Sequence, residues 1–305
     1  MDISICLCTF RRPALLDQLL AELARQNYDG LRAEIVVVDN DAAGSGLAVV
    51  DSWRTRMPIP LHSDQEPTPN IALARNAAVR KSQGEFILFI DDDESPEPDW
   101  VQHMMATQRA NDADAVIGPV GPRYPAGVAE WIKQGGFFAA PSRPTGTRLG
   151  YSQAYSGNTL LRRAAIAGLP GPFDPAFGVT GGSDTMLFWE LERQGAKTVW
   201  CEEGLVTEDV PVQRAKLKWI LRRAYRGGQS FVRAEITRLH GVQRYQRAAW
   251  LGARACVQLV VAGGLALLNL PFSRAGAARW LRTACAQLGK LGALIGHRYR
   301  EYAKQ

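Results

Sequence analysis

Carboxylates all but vanish from the last third of this chain. Residues 214–305 hold two Asp or Glu against 18 Lys or Arg, whereas residues 1–213 hold 28 against 18. The modest net charge of +6 therefore hides an acidic body and a strongly basic tail, an asymmetry that points to nucleic acid or an anionic membrane as the tail's partner. The tail also lacks an RNP-like sheet, zinc-ligand spacing and a clear helix-turn-helix signature, so nucleic acid is not the expected partner. Cysteine pairing is missing too. Cys6, Cys8, Cys201, Cys256 and Cys285 are odd in number, widely spaced and without a CxxC, which argues against a disulfide framework or zinc site and for reduced, buried thiols in a cytosolic compartment. No basic segment and apolar stretch open the chain, so no secretory signal is expected. There is no internal repeat or low-complexity tract. There is also no GxGxxG after the first strand and no GxxxxGK[ST], so the usual backbone cradles for dinucleotides and ATP are excluded.

What is present reads as an α/β body. Residues 2–8 (DISICLC) form a short apolar strand on which Cys6 and Cys8 point to the same face. Leu15, Leu16, Leu19, Leu20 and Leu23 follow at helical spacing within 13–26. AEIVVVDN (33–40) is a continuous apolar run ending in an acid, as expected of a parallel strand covered on both faces. Helix over 44–56, strand over 59–62, helix over 70–82, strand over 84–90, helix over 98–110 and strand over 114–120 complete the alternation. Such alternation argues for an open α/β sheet with right-handed crossovers. A Gly- and Pro-rich loop over 121–150 carries a short helix near Ala129–Lys133. A strand over 153–161, a helix over 184–194 and a strand over 196–201 follow; beyond Pro211 only long basic helices are expected.

In open α/β sheets ligands collect at the carboxyl ends of the strands. Thr9-Phe10-Arg11-Arg12, Asp39-Asn40 and Asp91-Asp92-Asp93 lie at such ends. Three adjacent carboxylates repel one another unless a cation or hydrogen-bond donors compensate. A hard divalent cation takes such oxygens and leaves positions for phosphate oxygens, although a solvated acidic turn has the same sequence. Without a phosphate loop, phosphate charge must be met by metal and by arginine, and Arg75 in NIALARN (70–76) is a candidate.

These segments, SICLCTFRR (4–12), EIVVVDND (34–41), NIALARNAA (70–78), FILFIDDDE (86–94), SGNTLLRR (156–163) and GGSDTMLFWEL (181–191), together resemble family 2 glycosyltransferases of the GT-A fold. Their order and spacing over roughly residues 2–210 look most like the bacterial exopolysaccharide subgroup. The resemblance implies a nucleotide-diphospho-sugar transferase with a Rossmann-like open mixed sheet and a Mg²⁺ or Mn²⁺ cofactor. It implies that Thr9, Phe10 and Arg11 line the nucleotide pocket, that Asp39 hydrogen-bonds the base, and that Arg75 lies near base and diphosphate. Asp91 and Asp92 fall among the donor-binding residues, and Asp93 becomes the metal ligand of a DxD motif. Asp184 becomes the catalytic base; many relatives carry Glu-Asp where this chain has Ser183-Asp184, so one carboxylate is left for the task. Asn158, Gly182 and Ser183 are candidates for contact with donor or acceptor sugar. The two glycines allow close approach to a sugar, and Ser183 or Asp184 is suited to cap the next helix. Trp189 is expected in the core.

In the tail, WILRRAYRGGQS (219–230) sets Arg222, Arg223 and Arg226 among apolar residues. They resemble a basic-aromatic motif of related transferases, or else they form a solvated helix face. Residues 255–272 carry no charge over 18 positions and either span a membrane, dip into it or pack. Ala277, Trp280, Leu281, Ala284, Cys285, Leu288, Leu291 and Ile295 share one helical face while Arg279, Arg282 and Lys290 lie off it, the pattern of an interfacial amphipathic helix. The expectation is a GT-A catalytic domain over 1–212 and a basic membrane-associating helical region over 213–305. The expected activity is inverting transfer from a nucleotide-sugar, a UDP-sugar by resemblance, to a lipid-linked saccharide. The site of action is the cytoplasmic face of the inner membrane, with peripheral or monotopic attachment to its anionic surface. The alternatives are a polyprenyl-phosphate monosaccharide synthase and, from another class, an inactive nucleotide-binding scaffold of a polysaccharide assembly complex.

Overall fold

The computed structural model describes residues 1–178, 181–237 and 239–297. Two compact units emerge, one built from Met1–Pro122 with Ala140–Glu208 and one from Arg123–Ala139 with the chain from Asp209 onward. The helical unit thus also includes part of the Gly- and Pro-rich loop.

The first unit is an α/β sandwich. Its seven-stranded sheet contains β1 (Ile3–Thr9), β2 (Ala33–Asp39), β3 (Leu61–Gln65), β4 (Phe86–Phe89), β6 (Ala115–Ile117), β8 (Thr159–Arg162) and β9 (Thr198–Trp200), in the order β3-β2-β1-β4-β8-β6-β9. The β3-β2-β1-β4 half is parallel; β8 runs antiparallel to both β4 and β6, and β9 is parallel to β6. Side chains alternate between two cores. Ile3, Ile5, Leu7, Ile35, Val37 and Leu88 enter one; Cys6, Val36, Val38, Ile87 and Phe89 enter the other.

Helices α1 (Pro13–Leu23), α2 (Leu47–Trp53) and α4 (Trp100–Asn111) cover the first face. Helices α3 (Ile71–Lys81) and α7 (Ser183–Arg193) supply the second. Pro13 opens α1, where a missing N–H costs nothing. Leu16, Leu19, Leu20 and Leu23 then bury one stripe against the sheet, each contributing roughly 2 kcal/mol. Two further short helices are α5 (Glu130–Gly135), close to its expected position, and α6 (Arg163–Ile166).

Two strands were absent from the sequence reading. β5 (Glu94–Pro96) and β10 (Val206–Asp209) pair antiparallel in a second sheet of order β5-β10-β7. Its third strand, β7 (Val120–Arg123), is cut from β6 at Gly118-Pro119, so the expected strand over 114–120 is two strands in two sheets. A Cβ at Gly118 would stand 2.2 Å from the Gly204 carbonyl oxygen, so the crossing point admits only glycine.

The helical unit holds α8 (Leu217–Thr237), α9 (Gly241–Asn269) and α10 (Arg274–Leu294). α8 and α10 touch backbone to backbone. A Cβ at Gly228 would lie 2.0 Å from the Ala286 carbonyl oxygen, and one at Gly289 would lie 1.9 Å from that of Tyr225. The face that α10 buries is accordingly its small one, with Ala275, Gly276, Ala277, Ala278, Ala284, Gly289 and Gly292. Of the apolar face expected on α10, Ala277 and Ala284 are buried in this packing, whereas Trp280, Leu288 and Ile295 remain exposed. Long exposed apolar side chains lie instead on α9, at Trp250, Val257, Val260, Val261, Leu267 and Leu268, and continue at Leu270 and Phe272. α9 is long and apolar enough to cross a membrane, with little of it buried. Cys256 is exposed on this helix, contrary to the expectation of buried thiols; the other four cysteines are buried or half-buried, and all five are free.

Candidate active site

The carboxyl edge of β1, β2 and β4 carries the predicted residues in two tiers. Along Asp91-Asp92-Asp93-Glu94 the first and third carboxylates reach solvent while the second and fourth turn inward. Asp92 Oδ2 accepts from Thr9 Oγ1 at 2.8 Å, and Arg12 Nη1 bridges Asp92 Oδ1 at 3.0 Å and Asp93 Oδ2 at 3.1 Å. Burial pushes the Asp92 pKa up to about 6; Arg12 and the Thr9 hydroxyl pull it down, and Asp93 and Asp91 add to the rise. Glu94 Oε2 accepts from the Asp91 N–H at 3.0 Å, and burial followed by Asp91 raises its pKa well above the usual carboxylate range. Glu94 and Arg12 were not assigned from the sequence, although both stand inside the resembling segments.

Asp39 is fully buried. Its two oxygens accept from the backbone N–H groups of Asp41 at 3.0 Å and Gly46 at 2.6 Å. Both oxygens thus shape the 41–46 loop, at the position where the resemblance implies a contact with the base. Thr9, buried beneath Asp92, likewise supports the pocket from behind. Phe10 and Arg11 remain accessible. Arg11 adopts φ of 56°, strained for a residue with a side chain, and its guanidinium lies 4.9 Å from the Phe10 ring centroid and 3.3 Å from Asp41 Oδ1.

Arg75 links the two halves of the site. It projects from α3, and its Nη2 donates to Asp91 Oδ1 at 2.8 Å. Burial disfavours its charge, but Asp91, Cys8 and Asp184 outweigh that effect and raise its pKa. Arg75 is thus within electrostatic reach of both the acids after β4 and the acid that opens α7. The segment leading to Asp184 is tied to α3 as well. Asn76 exchanges two hydrogen bonds with Phe173, Nδ2 to the carbonyl at 2.7 Å and Oδ1 from the N–H at 3.0 Å. Asn70 caps α3 by accepting from Ala72 N–H and donates from Nδ2 to the Pro175 carbonyl at 3.0 Å. The sequence signal for both was the pair of asparagines flanking Arg75.

Gly181 and Gly182 take φ of 78° and 109°, so conformation as well as close approach demands glycine there. Gly182 is the N-cap of α7, which leaves Ser183 and Asp184 inside its first turn rather than capping it. Ser183 is buried and therefore not placed to touch sugar, whereas Asp184 is half-buried, with Oδ1 accepting from the Thr185 N–H at 2.8 Å. Asn158 is corrected too. It is fully buried, accepts from Trp100 Nε1 at 2.9 Å and donates to the carbonyls of Pro119 at 3.0 Å and Gly204 at 2.7 Å, so it clamps the two sheets and has no face for a sugar. Gly157 beside it leaves room for the acids, since a Cβ there would stand 2.9 Å from Glu94 Oε1 and 3.2 Å from Asp91 Oδ2. Trp189 is half-buried rather than in the core. Arg222, Arg223 and Arg226 lie on α8 of the helical unit.

Among the described residues no group of three or more His, Cys, Asp or Glu gathers as a closed metal cage. Accessible Asp91 and Asp93, each already facing a guanidinium, fit an open site in which one or two carboxylates and substrate phosphates share a Mg²⁺ or Mn²⁺ ion.

A mixed sheet of this order, with its ligand edge at β1, β2 and β4, is the GT-A fold. The chain belongs to glycosyl transferase family 2, whose model matches residues 4–167. It is 33% identical over 296 residues to the succinoglycan biosynthesis protein ExoM of Rhizobium meliloti, covering 97% of this chain and 94% of that one. Among solved structures it resembles Staphylococcus aureus TarS 1-349 in complex with UDP, with a TM-score of 0.57, 16% identity and coverage of 98% of this chain and 93% of that one. It also resembles the mannosyltransferase PcManGT of Pyrobaculum calidifontis in complex with GDP-Man and Mn²⁺, with a TM-score of 0.60, 20% identity and coverage of 95% and 87%.

Proposed function

We propose that the protein transfers a sugar, with inversion, from a UDP-sugar to a lipid-linked saccharide in cell-surface polysaccharide biosynthesis, at the cytoplasmic face of the inner membrane. The observation that carries this reading is Arg75, held against Asp91 and within reach of Asp184. A diphosphate and an acceptor base are needed at one place, and this arginine stands between their candidates. Asp93, with Asp91, would hold a Mg²⁺ or Mn²⁺ ion that acts as a Lewis acid on the departing diphosphate. Arg75 adds a fixed positive charge on the leaving group's side. Phe10 and Arg11 face the nucleoside. Asp184 accepts the proton of the acceptor hydroxyl as that oxygen attacks the anomeric carbon from the face opposite the leaving group. One displacement converts an α-linked donor into a β-linked product. Thr9, Asp39, Asp92, Glu94 and Asn158 hold these groups from behind.

Membership of the family, the similarity to the succinoglycan biosynthesis protein ExoM, and the UDP and GDP-Man bound in the two solved structures support a nucleotide-sugar donor and the pathway class. The exposed apolar side chains of α9 and the basic composition of its unit support seating on an anionic bilayer, where each basic residue at the surface contributes about 1 kcal/mol. A panel of nucleotide sugars incubated with Mn²⁺ and bacterial lipid extract, with mass analysis of the lipid product, tests the reading. A lipid-linked saccharide one sugar longer is expected. A monosaccharide on a monophosphate lipid would replace it with the synthase reaction, and neither transfer nor donor hydrolysis would leave a scaffold.

A further inference from the structure

The helical unit contains a cavity of about 520 Å³ between α8 and α10, closed in part by Phe137 after α5. Three cations line it, Arg223 from α8 and Arg282 and Lys290 from α10. Each lies against an aromatic ring: Arg223 is 5.3 Å from the Trp219 centroid, Arg282 5.6 Å from Phe137, and Lys290 4.8 Å from Phe231. Among the described residues no carboxylate lines the cavity. The described carboxylates of this unit are engaged elsewhere, Asp209 with Arg123, Glu130 with Lys133 and Glu235 with Arg247. Burial and the neighbouring Arg279 hold the Arg282 pKa below its usual value, and burial with Arg254 does the same for Lys290, as expected of partly buried cations with like charge nearby.

Gln287 supplies a second, independent observation. Its side chain lines the cavity and is 5% exposed, yet Oε1 has no hydrogen-bond partner among the described residues. A buried amide oxygen without a donor costs about 1–3 kcal/mol, so a ligand that brings one is favoured. Arg282 and Lys290 ask for an anion, the amide oxygen for a hydroxyl. A phosphate joined to a hydroxylated group meets both demands. The bearer follows from the same unit, whose α9 exposes a long apolar stripe suited to acyl chains.

We propose that this cavity binds the phosphate of a lipid whose headgroup carries hydroxyls, with Arg282 and Lys290 taking the phosphate and Gln287 Oε1 accepting from a hydroxyl. The inference deepens the membrane reading above and rests on it for the choice of a lipid as bearer.

Calorimetry with the full chain and short-chain phosphatidylglycerol, kept below its micelle concentration, tests it. One lipid per chain is expected. Arg282→Ala with Lys290→Ala weakens binding at least tenfold, while Arg244→Ala with Arg274→Ala, which removes the same charge from exposed positions outside the cavity, changes it less than twofold. Gln287→Leu retains every charge, and circular dichroism checks its fold. It erases the preference for phosphatidylglycerol over phosphatidylmethanol, which lacks the hydroxyls. Tighter binding of a short-chain polyprenyl-diphosphate saccharide assigns the bearer to an acceptor lipid; tighter binding of phosphatidylglycerol assigns it to the bilayer. Equal losses in the two double variants, an unchanged headgroup preference in Gln287→Leu, or inorganic phosphate binding as well as either lipid would overturn the proposal. Because the lipid is monomeric and no donor is present, the result is independent of sugar transfer and of vesicle attachment.

Discussion

Asp92→Asn isolates the electrostatic strain stored beneath the proposed donor site. The folded-state pKa of Asp92 is raised from 3.8 to about 6, chiefly by burial. The folded protein therefore keeps this proton to higher pH than the unfolded chain does. Stability is lost as pH rises from about 4 to about 6, and the loss is complete above that window. At about 1.4 kcal/mol per pH unit, the ionised carboxylate lowers stability by about 3 kcal/mol at neutral pH. The partnerships with Arg12 and Thr9 already enter that figure, because both act on the folded pKa. Asparagine is close in size and stays neutral. The variant should match the wild type near pH 4 and exceed its stability by up to about 3 kcal/mol above pH 7. Glu94, shifted in the same direction, is common to both proteins and cancels in the difference. Urea denaturation of both proteins from pH 4 to 8, followed by circular dichroism, reads the effect. A difference independent of pH would refute the argument, as would a variant that is less stable at pH 7 than at pH 4 relative to the wild type.

Further outcomes follow from named contacts. Asp93→Ala should weaken Mn²⁺-dependent binding of UDP, whereas Asp184→Ala should spare it and abolish transfer; equal loss of binding by calorimetry would remove Asp184 from the base position. Asn158→Ala removes three hydrogen bonds at a fully buried site and should destabilise by about 3 kcal/mol, read as a lower urea midpoint. Gly289→Ala, which at an open helical position would stabilise by about 1 kcal/mol, should instead destabilise here because its Cβ meets the Tyr225 backbone; a raised melting temperature would contradict the close packing of α8 and α10. Serine at Val257, Val260, Leu267 and Leu268 should release the protein from anionic vesicles in a flotation assay, and unchanged flotation would exclude α9 from the membrane contact.

The parallel half of the sheet was legible because burial on both faces leaves an uninterrupted signature, as in AEIVVVD. Glu94–Pro96 carries no such signature; it is a strand only because Val206–Asp209 pairs with it from far along the chain. Apolar periodicity gave no sign that α10 packs closely on α8, because large side chains dominate any hydrophobicity pattern, while helices that touch backbone to backbone bury glycine and alanine. At the site, the acids and Arg75 were visible as residue types at strand and helix ends. Which carboxylate faced solvent was not, because the inward turn of Asp92 and Glu94 depends on Thr9, Arg12 and the Asp91 backbone. Asn158 was read as a candidate sugar contact for want of any local sign that Trp100, Pro119 and Gly204 would enclose it.

The two asparagines of α3 grip the stretch before Asp184 by its main chain alone, at the amide and carbonyl of Phe173 and the carbonyl of Pro175. Peptide groups are the same whatever side chains they carry. The exposed side chains around these contacts can therefore change while the anchorage, together with the buried rings of Phe173 and Phe177, stays as it is.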